Sequence, residues 1–164
     1  MKNIVLARVD DRLIHGQVLS GWVPKYRANV IFIVDDEIAK DKLTKRILKA
    51  SVPGHIKLSI YSVSLSAEIL QGKPETAKER ILLLAKSPIP FYQLMEAGCS
   101  LPAINLGGMG MFDDRQPFFR NLSCNDEEKQ VLKKLLDRDT ELFYQLVPDQ
   151  KRYDMKKILE ENTN

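Results

Sequence analysis

The sequence has few cysteines and no long apolar run, and each absence excludes a class of protein. Cys99 and Cys124 lack the closely spaced partners of a metal or redox motif, so we expect two free thiols. No apolar run approaches the roughly 18–20 residues that span a bilayer. The apolar stretch at the N-terminus is too short for a signal peptide. These features predict a cytoplasmic protein without direct membrane insertion.

The charged residues are mixed rather than clustered. The 25 basic residues are spread among 22 acidic ones, which leaves a net charge of +3. A nucleic-acid surface usually shows a stripe of basic residues with interleaved aromatics, and the sequence has no such stripe. We therefore expect a localised anion site and no nucleic-acid partner. The length of 164 residues predicts a single domain over 1–164.

Short β-rich runs alternate with helical stretches along the chain. The runs NVIFIV and RILLLA have the composition of strands buried on both faces. The predicted strands are 4–9, 29–34, 56–61, 80–85, 102–106, 116–122 and 141–147, and the predicted helices are 16–26, 41–50, 64–71, 89–97, one ending at 137, and 151–161. This alternation predicts an α/β fold, with an open, mainly parallel twisted sheet and helices on both faces in three layers.

Two helices carry more detailed expectations. The helix over 41–50 places Leu43, Ile47 and Leu48 on its apolar face. The spacing of Ser123 and Asp126 resembles a capping box, which would open the helix that ends at 137.

The segment from Arg8 to Gln17 is the most informative about chemistry. Two arginines, two aspartates and one histidine lie here between the first strand and the first helix. Parallel sheets of this class bind ligands beyond the carboxyl ends of their strands. A structural histidine among solvated ion pairs would also fit this composition, and so would a loop that only binds an anion.

Phosphoryl transfer through His15 would use each of these residue types. One nitrogen of a neutral imidazole attacks while an acceptor holds the other, and Asp10 or Asp11 could be that acceptor. Arg8 and Arg12 supply planar donor forks that suit phosphate. The backbone amides near Gly16 and Gln17, at a helix N-terminus, add an anion site.

Other polar or glycine-rich loops are weaker candidates. Asp35 and Asp36 close the second strand and either support the site or act as ordinary first-turn residues. Gly107 and Gly108 either allow a close backbone approach to a phosphorylated His15 or to a partner, or form a tight turn. The chain has no GxxxxGK[ST] pattern, and no glycine fingerprint follows the first strand. We therefore expect no nucleotide, no metal and no other cofactor.

The run ARVDDRLIHGQV resembles the signature of the enzyme IIB subunits of the mannose/fructose/sorbose class of the bacterial phosphoenolpyruvate-dependent sugar phosphotransferase system. The resemblance continues in Asp35-Asp36, in the stretch 105–109, and near Ser123, so it covers essentially the whole chain. An open, mainly parallel sheet is also the fold that this family implies.

The resemblance implies a phosphocarrier. A phosphorylated IIA protein or domain would donate a phosphoryl group to Nδ1 of His15, which would pass it to a sugar held by the IIC and IID membrane subunits. The chain would then associate peripherally with that transporter. Arg12 matches a family arginine near the phosphate, and Asp10 and Arg8 match positions in the same loop. Arg120 stands where the family leads us to expect a lysine.

Two other functions are compatible with parts of the sequence. A signalling receiver also uses an acidic pair after its first strand, but it needs an acceptor aspartate at the end of the third strand. The chain reads Ile60-Tyr61-Ser62-Val63 there, without an acid. A regulatory module that binds an anion at the His15 loop is the second alternative, and phosphate on His15 would distinguish it from a carrier.

Overall fold

The computed structural model describes residues 1–162, which form a large sheet and a separate hairpin. The strands are β1 (Ile4–Val9), β2 (Val30–Val34), β3 (Lys57–Tyr61), β4 (Ile81–Ala85), β5 (Ala103–Leu106), β6 (Gln116–Phe119), β7 (Leu122–Cys124), β8 (Glu141–Tyr144) and β9 (Tyr153–Asp154). Over this range, seven strands form one sheet in the order β3-β2-β4-β1-β5-β8-β9, and β6 pairs with β7. All pairs in the sheet are parallel except β8 with β9.

Helices cover both faces of this sheet. A π-helical turn (Val18–Trp22) runs into α1 (Val23–Tyr26), followed by α2 (Asp36–Lys40), α3 (Lys42–Ala50), α4 (Val63–Gln71), α5 (Ile89–Glu96), α6 (Asp126–Asp137) and α7 (Met155–Glu161). The π-helical turn, α1 and α2 contribute to one apolar core, and α4 to α7 contribute to the other. The predicted three-layer, mainly parallel α/β fold is thus confirmed.

The strand order places a crevice beside the end of β1. The chain leaves β1 toward β2 on one side of the sheet, and it leaves β5 toward β8 on the other. Because β1 and β5 are neighbours, the loops that follow them diverge at the carboxyl edge. Such a switch point is where open parallel sheets bind ligands. The loop after β1, residues 10–17 (the His15 loop), and the loop after β5, residues 107–110 (the glycine-rich loop), therefore meet at this edge.

Four predicted details are wrong. The last helix begins at Met155 rather than at 151, because Tyr153–Asp154 form β9. Asn125 and Glu128 form the capping box of α6. Ser123 belongs to β7 instead, and its amide donates to the carbonyl of Met109. The predicted strand 116–122 is a hairpin that reverses at Arg120, whose φ is +49°. The last long strand ends at Tyr144 rather than at 147, because the chain turns away beyond it.

Helix α3 packs differently from the expectation. Leu48 packs against the core, whereas the side chains of Leu43 and Ile47 are 67% and 61% exposed. The apolar periodicity is real, but the stripe turns partly away from the sheet. Within residues 1–162, no helix is both long and apolar enough to cross a membrane.

The burial pattern predicts unequal costs for two leucine truncations. Leu83 is fully buried in β4, so Leu83→Ala should leave a cavity and lower the free energy of unfolding by about 2–5 kcal/mol. Leu43→Ala is the matched control on the exposed face of α3 and should change it by less than about 0.5 kcal/mol. Urea unfolding measures the free energy of unfolding of both variants. Similar losses for the two would contradict the exposure of Leu43.

Candidate functional site

The loop after β1 is held in place by its backbone before any functional side chain is considered. The amide of Asp10 donates to the carbonyl of Ala85 (2.9 Å), and the amide of Leu13 donates back to the carbonyl of Asp10 (3.0 Å). Leu13 has a φ of +56° and is buried. The carbonyl of His15 then accepts the first helical hydrogen bonds. The loop is therefore a defined turn that places His15 at the start of the helix.

Arg8 lies beneath this loop with a fully buried side chain. Its guanidinium donates to Asp10 Oδ2 (3.0 Å), to the carbonyls of Gln145 (3.1 Å) and Leu146 (3.0 Å), and to the side chain of Asn105. In this structure Arg8 has no exposed surface and contacts His15 only through Asp10. A direct contact between Arg8 and phosphate stays a prediction.

Asp10 connects the buried arginine to the histidine. Its Oδ2 accepts from Arg8 and from Nε2 of His15 (2.9 Å), and its Oδ1 accepts from the amide of Arg12 (3.1 Å). Burial alone would raise the pKa of Asp10. The charge of Arg8 and the hydrogen bonds from His15 and Arg12 outweigh that effect, so the pKa is lowered from its ordinary value of 3.8. Asp10 is therefore a stable carboxylate acceptor for the ring.

His15 has one ring nitrogen engaged and one available. Nε2 donates to Asp10, which fixes the tautomer and leaves the lone pair on Nδ1. The side chain keeps 14% of its surface exposed. Asp11, the other predicted acceptor, accepts instead from the amide of Gly110 (2.6 Å) and lies 3.5 Å from Arg115. The structure thus assigns the contact with His15 to Asp10.

Arg12 and Gln17 lie on the open side of the loop. The Arg12 side chain is 53% exposed, donates to Oε1 of Gln17 (3.0 Å) and has its Nε 3.6 Å from Asp10. Both residues line a concavity of about 550 Å³, together with Asp11, Gly108, Met109, Gly110, Met111, Arg120, Asn121, Ser123 and Leu146. Arg120 is exposed at its rim, so this concavity presents two guanidinium groups. Gly16 is exposed beside it, with open space around its backbone.

The glycine-rich loop packs against the His15 loop. A Cβ on Gly107 would lie only 2.3 Å from Nη2 of Arg8, so a side chain has no room there. The carbonyl of Gly108 accepts from the amide of Asp11 (3.0 Å). These glycines serve the close approach of two loops, and the expected approach to a phosphorylated His15 or to a partner stays a prediction.

Asp35 and Asp36 do not join this group. Asp35 caps α2 by accepting from the amide of Ile38 (2.8 Å), and Asp36 accepts from the amide of Val63 (2.8 Å). They follow β2, and β4 separates that strand from β1. The structure therefore does not bring these two carboxylates into the group around His15, and both accept from helix-terminal amides.

Arg115 belongs to this region, although no sequence motif singles it out. It is buried, pairs with both oxygens of Glu128 (2.9 and 3.0 Å), and donates to the carbonyl of Gly110 (3.3 Å). It thereby ties α6 to the glycine-rich loop and to Asp11. Asp113 and Asp114 precede it, and a run of charged residues is equally typical of a solvated loop. The spacing from Arg115 to Glu128 offers no local signal.

The coupling of Asp10 to a buried arginine makes stability depend on pH. A carboxylate whose pKa is lowered on folding stabilises the fold above its ordinary pKa, and that stability is lost as the pH falls through the lowered value. Asp10→Asn should cost about 3–5 kcal/mol at neutral pH, because Arg8 then stays buried and unpaired. The gap between wild type and variant should shrink below the ordinary pKa of 3.8.

Urea unfolding over a pH series measures this gap. The matched control is Asp113→Asn, an exposed aspartate with a positive φ that asparagine tolerates. It should shift stability by less than about 0.5 kcal/mol at every pH. A gap for Asp10→Asn that stays constant down to strongly acidic pH would refute the buried pairing.

The sequence and the fold of this chain are both similar to those of known proteins. The family model of the PTS system sorbose subfamily IIB component, PTS being the phosphotransferase system, matches residues 4–164. The fructose-specific EIIB component of the PTS of Bacillus subtilis is 33% identical over 159 residues, which cover 97% of each chain. The mannose-specific EIIAB component of Escherichia coli is 32% identical over 139 residues, which cover 85% of this chain and 43% of that protein.

A solved structure described as a phosphoenolpyruvate-dependent phosphotransferase system superposes with a TM-score of 0.89 at 32% identity, and the match covers 97% of this chain and 98% of that one. The likeness therefore includes both the fold and the sequence. Since the family model matches almost the whole chain and a relative shares a third of its residues along nearly its full length, the chain belongs to the sorbose subfamily of IIB components of the bacterial sugar phosphotransferase system.

Proposed function

We propose that this chain is a phosphocarrier that accepts a phosphoryl group on His15 from a phosphorylated IIA protein or domain. It then transfers the group to a sugar during transport through the IIC and IID membrane subunits. The observation that carries the proposal is the hydrogen bond from Nε2 of His15 to Asp10, which leaves Nδ1 as the attacking nitrogen. The reaction is that of a protein-Nπ-phosphohistidine–sugar phosphotransferase.

In the first transfer, the lone pair of Nδ1 attacks the phosphorus atom carried by the IIA partner. The bond from Nδ1 to phosphorus forms as the bond from phosphorus to the donor breaks. The ring keeps its proton on Nε2 and gains positive charge, which the carboxylate of Asp10 offsets at 2.9 Å. Because the charge of Arg8 keeps Asp10 ionised, this acceptor stays ready throughout the transfer.

The transferring group carries negative charge on its equatorial oxygens, so catalysis depends on positioned donors. Arg12 and Arg120 line the open concavity, and their planar guanidinium groups supply N–H donors that match phosphate oxygens. The amides at the start of the helix, at Gly16 and Gln17, add dipoles of the right sign. Arg120 thus keeps a positive charge where the family resemblance leads us to expect a lysine.

In the second transfer, a sugar hydroxyl oxygen attacks the phosphorus atom. The bond from Nδ1 to phosphorus breaks and its electron pair returns to Nδ1. The hydroxyl proton is released to solvent water, and His15 returns to its starting form with its proton still on Nε2. The relatives described above are named for fructose and for mannose, so the match does not select a sugar. We assign sugar binding to the IIC and IID subunits, because the concavity beside the His15 loop is lined for an anion.

The partners and the location follow the same proposal. The name of the mannose relative joins A and B components, and this chain matches 43% of that protein. A phosphorylated IIA protein or domain would dock over the His15 loop of this chain. We place the chain in the cytoplasm, peripherally on the membrane transporter, where both transfers take place.

The identity of the phosphorylated residue is the first test. After incubation with phosphorylated IIA, wild type should gain acid-labile phosphate and His15→Ala should gain none, because the attacking nitrogen is removed. His55→Ala is the matched control, since His55 is an exposed histidine outside the site, and it should behave as wild type. Radiolabelled phosphate on the protein measures the transfer. Undiminished labelling of His15→Ala would remove the carrier function from this loop, and an unlabelled wild type would favour an anion-binding module.

The second test concerns the donor on the open side. Arg12→Gln removes a charge-assisted contact worth about 1.5–3 kcal/mol. At about 1.4 kcal/mol per tenfold, the single-turnover rate of labelling should fall about ten- to a hundredfold. The fold should persist, because the Arg12 side chain is largely exposed.

The matched control for Arg12 is Arg27→Gln, an exposed arginine at the end of α1. Its labelling rate should equal that of wild type. An equal loss in both variants would indicate a general charge effect, and an unchanged rate in Arg12→Gln would exclude Arg12 from the phosphate contact.

A further inference from the structure

The outer face of α3 is an apolar stripe without a partner. Leu43 and Ile47 lie one helical turn apart on one side of α3, and both are mostly exposed. Across residues 1–162, no other element covers them, and no side chain of α3 is fully buried. The core takes only Leu48 from this helix. Two large aliphatic side chains are therefore exposed to water on one short helix, and burying them against another surface would be favourable.

This stripe is bordered by positive charge. Five basic residues and one acidic residue lie between positions 40 and 49: Lys40, Lys42, Lys45, Arg46, Lys49 and Asp41. Asp41 caps the helix through the amide and hydroxyl of Thr44. None of the five cations forms an ion pair within the described chain, and all but Lys45 are exposed. The segment concentrates positive charge in a chain whose net charge is only +3.

We infer that the outer face of α3 adsorbs to an anionic lipid surface. A basic helix with an apolar side lies in the plane of a membrane interface, with its aliphatic side chains at the acyl boundary. Lysine and arginine stems can follow those side chains inward while their charged ends stay among the headgroups. Leu43 and Ile47 would enter the interface, and Lys42, Arg46 and Lys49 would bind the lipid phosphates.

The same face suits other partners less well. A second copy would bring two sets of unpaired cations together, which is unfavourable. The cores of protein–protein interfaces are enriched in aromatic residues and depleted in lysine. The exposed face of α3 has no aromatic residue, and its one carboxylate is already used in capping. Lipid headgroups need only charge and an apolar layer, and this face offers both.

Adsorption through α3 is independent of the proposed function. None of the α3 side chains lines the concavity beside the His15 loop. Lipid binding needs no phosphoryl group, so it holds or fails whatever His15 does. It would nevertheless keep the chain at the membrane without covering the His15 loop.

Sedimentation with lipid vesicles tests the inference. The full chain should bind vesicles that contain phosphatidylglycerol far more than vesicles of phosphatidylcholine alone, and high salt should weaken that binding. Lys42→Gln/Arg46→Gln should lower the partition coefficient about ten- to thirtyfold, because each basic residue at the surface contributes to binding. Leu43→Ser/Ile47→Ser should also lower it by removing the apolar contact.

The matched control is Lys156→Gln/Lys157→Gln, which removes two exposed charges from α7 and should bind as wild type. Labelling of His15 by phosphorylated IIA should be the same in all of these variants, which separates this test from that of the proposed function. Equal binding to both kinds of vesicle, no binding to either, or an equal loss in the α7 control would overturn the inference.

Discussion

A buried ion pair between Arg8 and Asp10 is the contact on which the candidate site depends. Neither side chain is exposed, and removing two charges from water costs several kcal/mol for each ion. That cost is offset because Arg8 also donates to the carbonyls of Gln145 and Leu146, and Asp10 also accepts from His15. The pair is therefore stable only when the end of β1 and the chain after β8 are in place together.

The position of the site could be predicted from the sequence, but its internal arrangement could not. Strands buried on both faces are apolar throughout, which made β2 and β4 recognisable and placed the Arg8-to-Gln17 loop at the carboxyl edge. Asp10 and Asp11 lie beyond the end of β1, and Asp11 is in a turn, so the alternation of side chains along a strand does not show which of them contacts His15. The choice depended on the turn geometry.

Features that depend on distant packing were the ones the sequence could not show. The period of α3 shows which side chains share a face, but it does not show whether another element covers that face, so the exposure of Leu43 was missed. The reversal at Arg120 has no glycine to mark it, and it relies on a positive φ in an ordinary residue. Arg115 reaches Glu128 across thirteen positions, a separation without local pattern.

On the proposed function, His15 has to present the same nitrogen to two partners in succession. A loop that had to become ordered at each encounter would pay a conformational cost twice. Here that cost is met on folding, because the buried Leu13 anchors the turn and Asp10 fixes the ring. The arginines that would hold the phosphoryl group, Arg12 and Arg120, lie instead on the open side, where they can follow it as it departs. In this proposal the buried charge of Asp10 orients the ring of His15. The exposed arginines bind the phosphoryl group, which must be able to enter the site and leave it.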